Sequence, residues 1–365
     1  MKLKWSLRTV VAVVGLLAWN SVNAANVVFL NPGKTGEEFW GAYTAFMQGA
    51  ADDLGMHLRV LTAERDRDLM LEQARTVLLG ADKPDYLVFV NEQYGAPEIL
   101  RLAKDTGVKL FAVNNTLTPD QQRRIGSSRE MYPNWIGSLV ANDEEGGYML
   151  ATELIRQARA KQKPGGTLQI IAFSGDKQTP ASQLREQGLK RALAENPDVR
   201  LCLLVTSNWD RYRAYEQART LLPRYKGINM VWAANDEMAF GAMRAAEELG
   251  YKPGQDILFA AINSSREALN ARVDGRLSVL VSGNFTLGGW AMVMLHDYDQ
   301  GLDFAQRGGK DRKLPLFISL DAEQAAKLAK RQNSDRTFDL DFRRYSLKNQ
   351  SKLREYNFSL RPLIN

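Results

Sequence analysis

Past residue 25, strand-like and helix-like stretches alternate with little interruption, and that rhythm restricts the fold more than any other feature of the chain. Short apolar runs at 26–30, 57–61, 86–90 and 109–113 read as strands. Between them, 37–54, 66–79 and 97–104 carry apolar residues at helical spacing, the last with proline in its first turn. After a loop at 116–133 the pattern restarts. Strands are predicted at 135–140, 168–173, 199–205, 228–233, 257–262 and 277–281, and helices at 144–159, 181–194, 211–222, 266–273 and 287–298. A further helical pattern follows strand 228–233, with Met238, Met243, Ala246 and Leu249 in step. Repeated β-α-β units imply a parallel sheet covered by helices on both faces. Two sets of units in 365 residues predict an α/β protein with two doubly wound lobes.

Both ends of the chain depart from this rhythm. Residues 1–24 combine Lys2, Lys4 and Arg8 with an apolar stretch of 11 residues, TVVAVVGLLAW, and a small-residue site at Val22-Asn23-Ala24. That is the pattern of a cleavable signal peptide, too short to span a membrane, so the product is expected in the periplasm. The other end, from Arg307, holds a strand-like piece at 314–320, the helix-forming AEQAAKLAKR and a polar stretch with FDLDFRRY and LREYNFSL. Residues 331–365 therefore read as edge strands, a strap over the body, a partner contact or a partly disordered basic tail.

Composition excludes several functions. Three of the 48 basic residues lie in the leader, which leaves 45 against 42 acidic residues and no footprint for nucleic acid. There are two histidines, in unrelated stretches, and no HExxH, CxxC or GxSxG. Gly33-Lys34-Thr35 lacks the earlier glycine of a phosphate loop. An enzyme, a metal site and a cofactor are all unexpected. The single cysteine, Cys202, sits in a predicted strand and reads as a buried structural thiol.

Ligands of open α/β sheets bind beyond the carboxyl ends of the strands. The residues there are Asn31, Phe39, Trp40, Asn91, Glu92, Asn114, Asn115, Arg185, Trp209, Asp210, Asn235, Asp236 and Asn263. Amides both donate and accept hydrogen bonds, as hydroxyl groups require, and aromatic faces suit the C–H surface of a sugar ring. Each residue also has a plainer reading. Asn235 or Asp236 can cap the following helix, and Asp210 can cap its own. Phe39 and Trp40 can be core, Asn114 and Asn115 turn residues, and Arg185 a surface arginine.

Taken in order, VVFLNPGKTGEEFW, KLFAVNN, WIGSLVANDEEGGYMLATELI, LREQGL, SNWDRYRAYEQARTLL, VWAANDEMAFGAMRA and ILFAAINSS with DGRLSV resemble the periplasmic sugar-binding proteins of the ribose- and galactose-binding type. That resemblance implies a type I periplasmic binding protein, two lobes joined by three hinge crossings. They would fall near Ala141-Asn142, Gly283-Asn284 and Phe317-Ile318, giving lobe one as 25–141 with 284–317 and lobe two as 142–283 with 318–330. The resemblance places Phe39, Trp40 and Trp209 on the ring-stacking sides of the two lobes, Arg185 at the ligand-facing arginine and Asn235 at the family's asparagine. Asn114 and Asn263 stand where aspartates are usual, and Gly283 where a polar hinge residue is common. Loss of those carboxylates would leave Arg185 less compensated and open to an anionic ligand. The implied partners are a small sugar-like molecule and an inner-membrane ABC permease, with the protein a monomer. The start of the chain and KLFAVNNT also resemble a periplasmic autoinducer receptor, whose arginine near Gly283 is absent. That resemblance raises the alternative of an accessory protein for a membrane sensor.

Overall fold

A computed structural model describes residues 24–162, 164–334, 337–350 and 353–365. The predicted signal peptide lies outside the described residues apart from Ala24. Two six-stranded sheets form the frame. The first contains β1 (Asn26–Asn31), β2 (His57–Thr62), β3 (Tyr86–Phe89), β4 (Lys109–Val113), β5 (Trp135–Ala141) and β11 (Asp311–Leu314), in the order β11-β5-β4-β3-β1-β2. The second contains β6 (Leu168–Ser174), β7 (Val199–Thr206), β8 (Met230–Ala233), β9 (Leu258–Ile262), β10 (Val279–Ser282) and β12 (Ile318–Leu320), in the order β12-β10-β9-β8-β6-β7. The orders correspond strand for strand, so the two lobes share a topology although no residue-level repeat is visible. Strand order reverses at β1/β3 in one sheet and at β6/β8 in the other. Those switch points are where a doubly wound sheet opens a crevice.

The chain passes from one sheet to the other three times: between β5 and helix α5 (Asp143–Lys161), between β10 and helix α10 (Leu287–Asp299), and between β11 and β12. The third passage corrects the single strand predicted at 314–320. Pro315 has no amide hydrogen to donate and splits the run, so its two halves join different sheets. β11 lies parallel to β5, whereas β12 runs antiparallel to β10. Gly283 occupies the second passage at φ 140°, where a Cβ would overlap the Leu316 carbonyl of the third. Only glycine fits this position, because two crossings touch there and the backbone is left-handed.

The predicted loop at 116–133 contains a helix, α4 (Pro119–Ile125), closed by a capping box between Thr118 and Gln121. Cys202 is half-buried rather than buried, because β7 is an edge strand. Beyond helix α11 (Ala322–Gln332), which packs on helix α9 (Arg266–Asp274) of the second lobe, the tail returns to the first lobe. Phe338 and Phe342 meet Phe46 of helix α1 (Glu38–Leu54) edge to face, and Phe358 stacks on Trp290 at 5.0 Å. Buried Asp297 accepts hydrogen bonds from Ser346 Oγ, the Leu347 amide and Tyr356 hydroxyl. The described tail is thus a strap with short 3-10 turns and no strand.

Candidate functional site

The carboxyl ends of both sheets face one another across an inner pocket with 40 Å³ of free space. Phe39, Trp40, Asn114, Asn115, Arg185, Trp209, Asn235 and Asn263 line it, together with Glu37, Arg65, Glu92, Thr179, Ala181 and Asn284. Eight of the nine residues singled out as ligand contacts are therefore brought together. Asp236 is not at the wall.

Each lobe supplies one tryptophan, and glycine makes room for each. A Cβ on Gly33, in the loop after β1, would overlap the Trp40 ring, and a Cβ on Gly175, just after β6, would overlap the Trp209 ring. Trp40 is both core and wall: it packs on Tyr43 at 5.2 Å and Phe29 at 6.2 Å and still reaches the pocket. Trp209 follows Asn208 in left-handed backbone, φ 64° and 54°, a costly conformation for non-glycine residues that re-aims the indole. Neither indole N–H has a hydrogen-bond partner among the described residues.

Arg185, on helix α6 (Pro180–Ala194), is buried rather than a surface arginine. Its Nε donates to Asp143 Oδ1 at 2.8 Å and its Nη1 to the Ala234 carbonyl at 2.6 Å. The guanidinium also lies 5.6 Å from the Trp209 ring and 5.8 Å from Phe317, on the third crossing. Burial pushes the Asp143 carboxyl up, and Arg185 pulls it back. The pairing depends on two glycines: a Cβ on Gly147 of α5 would overlap the Arg185 backbone, and one on Gly188 of α6 would overlap the Glu144 carbonyl. The expectation of an undercompensated Arg185 is corrected: Asp143 supplies the carboxylate.

Asn235 serves as cap and wall at once. Its Oδ1 accepts from the Met238 amide at 2.9 Å, closing the start of helix α8 (Asp236–Glu248), and its Nδ2 donates to the Trp209 carbonyl at 3.3 Å. Asp236, expected beside it as a contact, stands behind Asn263. It accepts from Asn263 Nδ2 at 2.9 Å and from the Ser265 amide at 3.1 Å. Burial in this position pushes its pKa up to about 6. Asn263 Oδ1 in turn accepts from Asn284 Nδ2 at 3.3 Å, at the second crossing. Asn284 Oδ1 has no partner among the described residues.

On the first lobe, Asn114 lies in left-handed backbone, φ 62°, and its amide has no side-chain partner among the described residues. Asn115 reaches across, its Oδ1 accepting from the Ala181 amide at 2.9 Å. Arg65 bonds Glu37 and lies 3.1 Å from Glu92, whose carboxyl is pushed up by burial against the pull of Arg65. Thr179 Oγ1 of the second lobe donates to the same Glu92 at 3.4 Å. Asn31 and Asn91 instead hold their own loops, accepting from the Gly33 and Ala96 amides. Asp210 caps helix α7 (Arg211–Arg224) through the Arg213 amide.

Two like lobes with facing sheet ends and interlobe contacts match a known family. The periplasmic binding protein domain model matches residues 27–302. The chain belongs to this family. Among solved structures it resembles a periplasmic sugar-binding protein from Pseudomonas fluorescens, 51% identical, with a TM-score of 0.86 over 93% of this chain and 100% of that one. Curated relatives from Escherichia coli (strain K12) include the galactofuranose-binding protein YtfQ, 22% identical over 72% of this chain and 79% of YtfQ. The ribose import binding protein RbsB is 23% identical over 76% of this chain and 86% of RbsB. The family is one of solute-binding proteins. Among the described residues no group of acidic, histidine or cysteine side chains could hold a metal ion.

The sequence reading passed over Glu37, Arg65, Asp143, Thr179 and Ala181 as site residues. The glycines at 147 and 188 were a signal for Asp143, because they force α5 against α6 beside Arg185. Arg65 offered none, since an arginine in a charged loop reads as solvated.

Proposed function

We propose that this protein captures a neutral sugar between its lobes in the periplasm and delivers it to an inner-membrane ABC permease. The observation that carries the reading is the wall itself: two tryptophans from opposite lobes, amides at sheet ends, and arginines that are matched or outnumbered by carboxylates. Arg65 and Arg185 face Glu37 and Glu92 in the lining, with Asp143 and Asp236 behind it. With no cation left uncompensated the wall disfavours an anionic solute, whereas amides and paired ions offer donors and acceptors to hydroxyl groups. Such groups, once buried, discriminate strongly against a ligand that leaves them unpaired. The ribose import binding of RbsB and the galactofuranose binding of YtfQ support uptake over signalling and make a pentose or hexose the first class to test.

A ligand that binds only the folded chain raises its melting midpoint by mass action. Thermal unfolding of residues 25–365 against neutral sugars, polyols and sugar acids is expected to show a shift with a neutral sugar. A shift confined to sugar acids would overturn the charge argument, and none with any compound would overturn the sugar reading.

A further inference from the structure

The three crossings between the sheets are not the only covalent link between the lobes. The strap makes another, leaving helix α11 and returning to it. Helix α11 is seated on the second lobe: it packs on α9, and its Gln332 Nε2 donates to the Ser264 carbonyl at 2.9 Å. Just past its end, Asn333 Oδ1 accepts from the Arg266 guanidinium. The last helix, α12 (Arg361–Ile364), packs on α11 again, with Leu363 and Ile364 buried. Between these two seats the first lobe holds the strap, through Phe342 on Phe46, Phe358 on Trp290 and the bonds to Asp297. The Phe342 amide also donates to Asp53 Oδ2 of α1 at 2.9 Å.

The turn at Phe338-Asp339 belongs to both lobes at once. Arg331 Nη1 of α11 donates to the Asp339 carbonyl at 3.1 Å and to the Phe338 carbonyl at 3.4 Å. The buried Phe338 ring meanwhile meets Phe46 at 5.0 Å and stacks on Phe285 at 5.5 Å. Phe285 directly follows Gly283-Asn284 on the second crossing, so the turn sits against the hinge itself. Both turn residues are in left-handed backbone, φ 55° and 49°, a costly state for phenylalanine and aspartate that persists only where the surroundings impose it. Carbonyls tied to one lobe and a ring buried in the other supply that constraint.

Parting the lobes would load this turn. The lobes meet beside it, where the Arg266 amide donates to Glu38 Oε2 of α1 at 2.9 Å. Helix α11 follows β12 of the second sheet, whereas α1 and α10 pack on strands of the first. Opening must therefore pull Arg331 from the turn and α12 from α11, or draw Phe338 off Phe46 and Phe285. Packed interfaces yield in discrete steps rather than by continuous stretch.

From this arrangement we infer that the strap is a clasp across the hinge, which holds the ligand-free protein near its closed form and limits how far the lobes part. Entry and exit of a solute then wait on an infrequent opening. Small-angle X-ray scattering of ligand-free residues 25–365 tests the clasp beside two variants. One carries Arg331→Ala and lacks residues 361–365, which frees the strap from α11 and keeps its rings on the first lobe; the other carries Arg331→Ala alone. Circular dichroism reports whether each is folded. The wild-type profile is expected to match the closed structure. The truncated variant should show a larger radius of gyration and a profile fitted only by separated lobes, and Arg331→Ala alone a smaller shift in the same direction. A wild-type profile of widely parted lobes would overturn the inference whatever the variants do. So would an unchanged radius in the truncated variant, or in Arg331→Ala alone if the truncated chain does not fold. No solute enters the test, so its failure leaves the sugar reading standing.

Discussion

On the second lobe, the arginine and amides at the pocket are braced by their own lobe: Arg185 by Asp143 and the Ala234 carbonyl, Asn235 by the Met238 amide, and Asn263 by Asp236. On the first lobe, the Asn114 side-chain amide makes no hydrogen bond among the described residues, and Asn115 uses its side-chain Oδ1 on the second lobe. The arginine and amides of one wall are therefore fixed before the lobes meet, whereas on the other only the Arg65–Glu37–Glu92 cluster is, and its asparagines are not. The difference assigns separate work to the lobes. On the proposed reading the braced wall would hold the donors that select a ligand, while Asn115 and Thr179–Glu92 add contacts that exist only when the lobes meet. A ligand that binds the closed form better than the open one shifts the population toward closure.

Breaking the braced wall should have the largest effect. Arg185→Ala leaves Asp143 buried without its partner, and removing one member of a buried pair costs about 3–5 kcal/mol. A large drop in melting midpoint and loss of ligand binding are expected together. Arg185→Met with Asp143→Leu removes both charges and should recover most of the stability but none of the binding. If the double variant binds, the guanidinium is not a ligand contact.

The two tryptophans give the next test. Trp209 is only partly buried and Trp40 is core, although both line the pocket. Trp209→Ala is expected to weaken ligand affinity by about 2 kcal/mol, the scale of a binding hot spot, with little change in stability. Trp40→Ala should lower the melting midpoint by far more, since burial of a large aromatic in the core is lost with it. Equal destabilisation by the two would erase the distinction. A smaller effect belongs to Asn115→Ala, which removes one interlobe hydrogen bond worth about 1 kcal/mol. Ligand affinity should fall about five-fold while the stability of the ligand-free protein is unchanged, and an unchanged affinity would show that the contact plays no part in closure.

How much of this was legible in the sequence follows from what each residue has to satisfy. Alternating strand and helix periods announce themselves locally, so the doubly wound lobes and the strand-end position of Trp209, Asn235 and Asn263 could be read directly. Asp143 could not, because its role comes from the approach of α5 to α6, and the glycines that permit it lie four residues after Asp143 and three after Arg185. Asp236 misled for a related reason: adjacency to Asn235 places it at the same strand end, but the first turn of α8 swings its side chain behind Asn263. The split of 314–320 and the return of the tail over Trp290 depend on sheet membership and on partners far away in sequence. No period reports either.

Asp236 also gives the comparison a pH dependence. Its pKa in the folded chain, about 6, lies above its ordinary value of 3.8 because burial disfavours the charge. Between those values the folded state holds a proton that the unfolded chain has released. The stability contributed by this group therefore rises as pH falls through that window and falls as pH rises through it. Binding should move the other way. The ionised carboxylate accepts from Asn263 and Ser265, and a proton on one oxygen competes with those donors and frees the Asn263 amide to turn. Ligand affinity is expected to decline several-fold between pH 7 and pH 5. Asp236→Asn should show a weaker and nearly flat affinity over the same range. Its melting midpoint should lose ground to the wild-type protein's as the buffer is acidified from pH 6 to pH 4. If affinity and relative stability instead fell together in acid, the ionised carboxylate would be stabilising the fold, and the brace behind Asn263 would have to be assigned elsewhere.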